Sequence, residues 1–206
     1  MADASVRSGV GVAVYQGRIS AVAPVTELRR LHPAAELIDC KTGVLTPGLV
    51  DSHTHAIFGR ARYEEQELRA SGVGYMEIAR RGGGIHSSVA DLRARSEDEL
   101  YDLALPRVLR LASFGSTTIE VKSGYGLSAG DELKSLRVIA RLARNTNLRL
   151  VPTWLGAHEV PLEYRANTSD RKEYVRLLID EMLPAVQRGG LARFADVFCE
   201  PGVFTI

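Results

Sequence analysis

The chain has 206 residues, 45% of them hydrophobic and 25% charged, which is enough apolar content to bury a sizeable core in an ordinary globular fold. A formal net charge of +1, with basic residues mostly interleaved among acids, gives no nucleic-acid or membrane-surface signature. No basic stretch followed by an apolar one opens the chain and no run of about 18 apolar residues occurs; Cys40 and Cys199, far apart, make no disulfide framework, so a cytoplasmic protein is expected.

The first stretch reads as β structure. Gly9 to Tyr15 and Arg18 to Val22 are valine- and isoleucine-containing runs separated by Gln16-Gly17, a hairpin turn by its position. Val25 to Leu31 then reads as a short helix and Glu36 to Cys40 as another strand. Strands this short and this few do not make a free-standing sandwich. Residues 1–47 are therefore expected to be the N-terminal part of a composite β-sandwich that pairs with strands lying outside this sequence.

From Leu49 onward strands and helices alternate. Ser96-Glu97-Asp98-Glu99 has capping-box spacing and opens a helical pattern that closes near Phe114-Gly115, with Pro106 inside it expected to kink or split the segment. Ser116 to Lys122 is β-branched and strand-like. Asp131 to Arg144 carries Leu133, Leu136, Ile139, Ala140 and Ala143 at helical spacing. Leu148 to Leu155 follows as a strand, Arg171 to Arg188 as a helix, and Phe194 to Cys199 as a strand. This order predicts βαβ units and a parallel sheet. At roughly 40 residues per unit, eight units fit the size of a (β/α)8 barrel. The expected fold is thus α/β: a partial TIM-like (β/α)8 barrel over residues 48–206, with about four strands present.

His53-Thr54-His55 is the sharpest chemical signal. Residues i and i+2 of an extended segment point to one side, so both imidazoles can address one point, as metal ligands do. The pair sits at the C-terminal end of the first barrel strand, where barrel active sites are built. The other strand ends are polar too: Lys122-Ser123-Gly124-Tyr125-Gly126, Gly156-Ala157-His158-Glu159 and Cys199-Glu200. His32, before Pro33 in a polar loop, is expected to be exposed. His86 follows Gly82-Gly83-Gly84, a run without the Lys-Ser/Thr of a phosphate loop, and is expected near the barrel mouth.

Asp39-Cys40-Lys41-Thr42-Gly43 and Pro47-Gly48-Leu49-Val50-Asp51-Ser52-His53-Thr54-His55 resemble the first barrel strand of the amidohydrolase superfamily. Five further strings are similar to one family within it, imidazolonepropionase of histidine degradation. They are His55-Ala56-Ile57-Phe58-Gly59 with Arg62, Gly82-Gly83-Gly84-Ile85, Lys122-Ser123-Gly124-Tyr125-Gly126-Leu127, Gly156-Ala157-His158, and Asp196-Val197-Phe198-Cys199-Glu200. The resemblance implies hydrolysis of the cyclic amide 4-imidazolone-5-propanoate to N-formimidoyl-L-glutamate, using one zinc or iron ion. It implies that His53 and His55 are the first two metal ligands and that Arg62, Tyr125 and His158 contact the substrate. It also implies a histidine on strand five, a glutamate beyond it and an aspartate on strand eight, none of which falls within this sequence. The chain is accordingly expected to be an incomplete piece of the enzyme, not active alone, and no catalytic residue is assigned within it. A homodimer is expected from the resemblance alone. The alternatives are another cyclic-amidohydrolase or aminohydrolase, or a non-catalytic half-barrel fragment. Phe198-Cys199-Glu200 stands where many two-metal members carry a bridging lysine, which favours a single-metal site.

Overall fold

A computed structural model of the chain describes residues 6–74, 77, 83–200 and 202–205. It divides into two compact units, Met1–Thr46 and Pro47–Ile206.

In the first unit, β1 (Val10–Tyr15) pairs antiparallel with β2 (Arg18–Pro24). The turn between them places both Gln16 (φ 50°) and Gly17 (φ 72°) in left-handed backbone, the requirement of a tight hairpin whose twist matches its strands. Helix α1 (Val25–Leu31) lies across Gly11, where an added Cβ would come 3.2 Å from Leu28. Glu36–Cys40, expected as a strand, is not one: the segment is exposed throughout and has no strand partner among the described residues. An unpaired extended run forms no ladder, so its sequence preference is not realised.

The second unit carries a sheet of four parallel strands in the order β3 (Leu49–Thr54), β4 (Ser116–Lys122), β5 (Arg149–Ala157) and β6 (Phe194–Val197). The sheet curls into half of a barrel, the α/β architecture expected. Among the described residues, helices α2 (Tyr63–Ala70), α3 (Ile85–Ala94) and α4 (Glu97–Ser113) lie between β3 and β4. Helix α5 (Ala129–Asn145) joins β4 to β5. A 3-10 turn (Leu162–Tyr164), α6 (Thr168–Arg176), a π-helical segment (Leu177–Met182) and α7 (Leu183–Gly189) lead to β6. The single helix expected over residues 171–188 is therefore widened in its middle, where Leu178 and Met182 are buried.

Packing follows period. In α4 the buried residues Leu100, Ala104 and Val108 fall at four-residue steps, and in α5 Leu136, Ile139 and Leu142 make the matching stripe. Helix α4 packs against β4, whose Ile119 and Val121 are fully buried, and α5 packs against α4 and β5. Alternate residues of β4, Thr118, Glu120 and Lys122, line the concave face instead, together with Ser52 of β3 and Thr153 of β5. That face borders an open cavity of about 400 Å³. Pro106 does not split α4. Pro106 and Asp102, whose carbonyl loses its usual partner there, both lie on the exposed face of the helix, where a missing backbone hydrogen bond costs least.

Helix starts are chemically marked. Ser96 accepts from the Glu99 N–H at 3.1 Å while Glu99 accepts from the Ser96 N–H at 2.8 Å, the reciprocal box read from the sequence. Ser96→Ala is expected to cost about 1 kcal/mol in urea unfolding. A loss below a few tenths would show that α4 is held by its packing alone. No helix among the described residues is long and apolar enough to cross a membrane.

Candidate active site

The site is assembled at the C-terminal ends of β3, β4 and β5. Strand β3 ends at Thr54, whose hydroxyl donates to the Glu120 carbonyl at 2.6 Å and ties it to β4. His53 and His55 flank this anchor, their ring centroids 5.6 Å apart and edge-on. The chain beyond them is clamped from two sides. Arg107 of α4 donates to the carbonyls of Ala56 (3.1 Å), Phe58 and Gly59 (2.8 Å), and its guanidinium lies 3.5 Å from the centroid of the Phe58 ring. Asp91 of α3 accepts from the Arg60 N–H at 2.8 Å and is paired with Arg95. A Cβ at Gly59 would fall 1.5 Å from that carboxylate, so only glycine admits the contact.

At the end of β4, Lys122 is paired with Glu120 (2.7 Å) and with Asp196 of β6 (2.9 Å). Burial disfavours the ammonium, but these two carboxylates hold its pKa above the ordinary value. The loop that follows carries Tyr125, and Gly124 within it has φ +107°. At the end of β5, His158 places Nδ1 2.8 Å from the Gly124 carbonyl. A carbonyl only accepts, so Nδ1 carries the proton and Nε2 keeps a free lone pair.

Four of the five predicted site residues meet here. The His158 ring stacks on His55 at 4.8 Å and 12°, and Tyr125 is tilted against both, at 5.1 and 5.3 Å. Phe198 closes one side, edge-on to His158 at 6.0 Å. Arg62 precedes α2, pairs with Glu65 at 3.3 Å, and lies close enough to Tyr125 for its charge to favour the phenolate. Burial outweighs that influence and raises the Tyr125 pKa, keeping the hydroxyl a donor. His86 makes no ring contact with these four: its Nε2 is 2.7 Å from Arg165, which also pairs at 3.5 Å with Glu159, the residue after His158. His32 is exposed in the other unit, and Cys199 and Glu200 are exposed. Of the glycine run, Gly82 lies outside the described residues; Gly84 donates its N–H to Glu65 at 2.9 Å.

Burial, and then the charges of His158, His53 and Lys122, lower the His55 pKa to about 3. Its imidazole is thus neutral, the form that binds metals, and its Nδ1 is buried without a hydrogen-bond partner among the described residues. A neutral imidazole with an unsatisfied ring nitrogen fits zinc or iron. Among the described residues no group of three or more His, Cys, Asp or Glu is arranged to hold a metal ion. The fit is therefore that of a donor pair, short of the three protein ligands usual for catalytic zinc.

Arg107 and Glu132 were not among the predicted site residues. Glu132 left a signal in the sequence, as a carboxylate four residues before Leu136 on the apolar face of α5. Arg107 left none, since only the fold brings α4 to residues 56–59.

A parallel half-barrel with an imidazole cluster at its C-terminal strand ends defines the class: (β/α)-barrel proteins that build their sites from strand-end loops. No family model matches the chain. It is 52% identical over 210 residues to an imidazolonepropionase of Symbiobacterium thermophilum, covering 100% of this chain and 49% of that protein. It is 52% identical over 202 residues to that of Myxococcus xanthus (97% and 47%) and 45% identical over 209 residues to that of Geobacillus kaustophilus (100% and 49%). The chain belongs to the imidazolonepropionase family and spans about half the length of the curated relatives it matches.

Proposed function

We propose that this chain supplies part of the active site of a metal-dependent imidazolonepropionase. The reaction is hydrolysis of the cyclic amide 4-imidazolone-5-propanoate to N-formimidoyl-L-glutamate, in histidine degradation. The observation that carries this reading is the packing of His53, His55, Tyr125 and His158 into one cluster at three strand ends, with Arg62 beside it.

Each group has a task suited to its state. His53 and His55 would hold one zinc or iron ion, the other donors coming from residues this chain does not supply. When bound, the metal acts as a Lewis acid that activates water at neutral pH. Arg62 presents a planar fork of N–H donors for the propanoate carboxylate. Tyr125, held protonated by burial, donates to the ring carbonyl oxygen, where negative charge grows as water attacks. His158 offers Nε2 as an acceptor for a ring N–H, because Nδ1 is already engaged. The protein would act in the cytoplasm, on a small-molecule substrate, as a homodimer.

The test is an assay of the full-length protein with 4-imidazolone-5-propanoate, product identification by mass spectrometry, and metal content per subunit. Formation of N-formimidoyl-L-glutamate with one metal per site is expected. A metal-loaded protein that leaves this compound intact but opens a hydantoin, a dihydroorotate or a purine-like ring would move the assignment to another cyclic amidohydrolase.

A further inference from the structure

We propose that Glu132 is a positioning residue for the candidate site, orienting the Gly124 peptide so that His158 is locked in one tautomer and Tyr125 in one place. The inference rests on the functional reading above only where it concerns turnover.

Glu132 is the fourth residue of α5, in its first turn, and is fully buried. One carboxylate oxygen accepts from the N–H groups of Gly126 (2.8 Å), Leu127 (3.0 Å) and Gly124 (3.1 Å); the other accepts from Gly124 at 3.1 Å. Ser123 donates its hydroxyl to the same carboxylate and accepts from the Leu155 N–H at 3.0 Å. One side chain thus gathers the whole turn that carries Tyr125. Burial pushes the Glu132 pKa up, while these hydrogen bonds pull it down.

The Gly124 peptide is the point of transmission. Its N–H goes to Glu132 and its carbonyl to Nδ1 of His158, so rotating that residue would break both bonds. Its φ of +107° is a conformation side chains rarely adopt, and an added Cβ would come 2.9 Å from His158 Nδ1. Gly126 is crowded as well: a Cβ there would come 2.5 Å from the backbone of Asp131 and Glu132. The turn is therefore built of glycines so that it can settle onto α5, and glycines alone would leave it loose. The carboxylate supplies the rigidity. With Nδ1 engaged, His158 presents an acceptor at Nε2; without the Gly124 carbonyl in place, either tautomer is accessible.

The experiment uses the full-length protein and two variants. Glu132→Ala removes every acceptor. Glu132→Gln keeps the shape and an oxygen for Gly126 and Leu127, but sets an N–H against that of Gly124. Long-range 15N–1H correlation on histidine-labelled protein reads the His158 tautomer, with His158→Gln assigning the signals. The wild type is expected to show protonated Nδ1 alone. Both variants are expected to show mixed tautomers, with kcat falling by about tenfold or more and KM changing less. Folding is followed by circular dichroism, and if Glu132→Ala fails to fold, Glu132→Gln decides. A folded variant that keeps His158 protonated only at Nδ1, with kcat within twofold of wild type, would overturn the inference. If wild type does not hydrolyse 4-imidazolone-5-propanoate, the functional reading falls, and the tautomer result still decides this one.

Discussion

Arg107→Ala is expected to lower the stability of the barrel unit by about 3–5 kcal/mol. The guanidinium serves three backbone carbonyls in a row, those of Ala56, Phe58 and Gly59. The loop is also held by Asp91 at the Arg60 N–H and runs through the buried residues Ala56 and Ile57. Each carbonyl stripped of a charged donor and left out of water costs about 1–3 kcal/mol. The stacked Phe58 ring loses its cation as well, at about 0.5–2 kcal/mol. These losses overlap, because the freed loop relaxes, which is why the expected total lies below their sum. Arg107→Lys recovers little, since an ammonium is a point and not a planar fork. Urea unfolding at unchanged m-value measures the effect, and a loss under about 1 kcal/mol would show that Asp91 alone holds the loop.

The second large effect is acid sensitivity of the metal-free protein. In the unfolded chain a histidine titrates near 6.5, whereas His55 in the fold titrates at about 3. Between those values the unfolded state binds a proton that the folded state refuses. Stability from this group is thus complete above pH 6.5 and declines as pH falls toward 3. His158 is lowered in the same direction, by burial first, and adds to the slope. Asp196, held low by Lys122, loses its contribution only in the carboxylate range. His86 is lowered by burial and Glu132 is raised by it, with the opposite sign, so the His55 share is read as the difference between wild type and a His55 variant. For chelator-treated protein the expected loss from His55 between about pH 6.5 and 4.5 is about 2.5 kcal/mol. Urea midpoints at half-unit steps measure it. His55→Gln should flatten the slope, and an equal slope in that variant would exclude His55 as its source.

Much of the fold was legible because local preference and tertiary context agree. Ser116–Lys122 is a β-branched run closed by glycines at both sides, and it is a strand over those same residues. The Ser96 box and the apolar period of α5 behave likewise. Legibility failed where the outcome depends on a distant partner. Glu36–Cys40 has strand composition but no strand to pair with among the described residues. Pro106 reads as a breaker, yet an exposed helix face forgives it. The π-helical widening at Leu177–Met182 leaves no mark in a pattern of apolar spacing, since both geometries bury Leu178 and Met182. At the site, residue types gave the candidates, but contacts between loops 30 to 100 residues apart belong to the fold.

The uneven spacing of the strand pairs has a thermodynamic consequence. Thr118 pairs with Arg149, whereas Leu49 pairs with Ser116, more than twice as far along the chain. Each doubling of a closed loop adds about 0.6 kcal/mol of lost chain entropy. The strand that bears His53 and His55 is thus costlier to dock than β5, which bears His158. Long-range ties are concentrated on it accordingly: Thr54 to the Glu120 carbonyl, Asp91 to the Arg60 N–H, and the triple grip of Arg107. These contacts act as clasps, holding the two imidazoles where chain connectivity would least keep them.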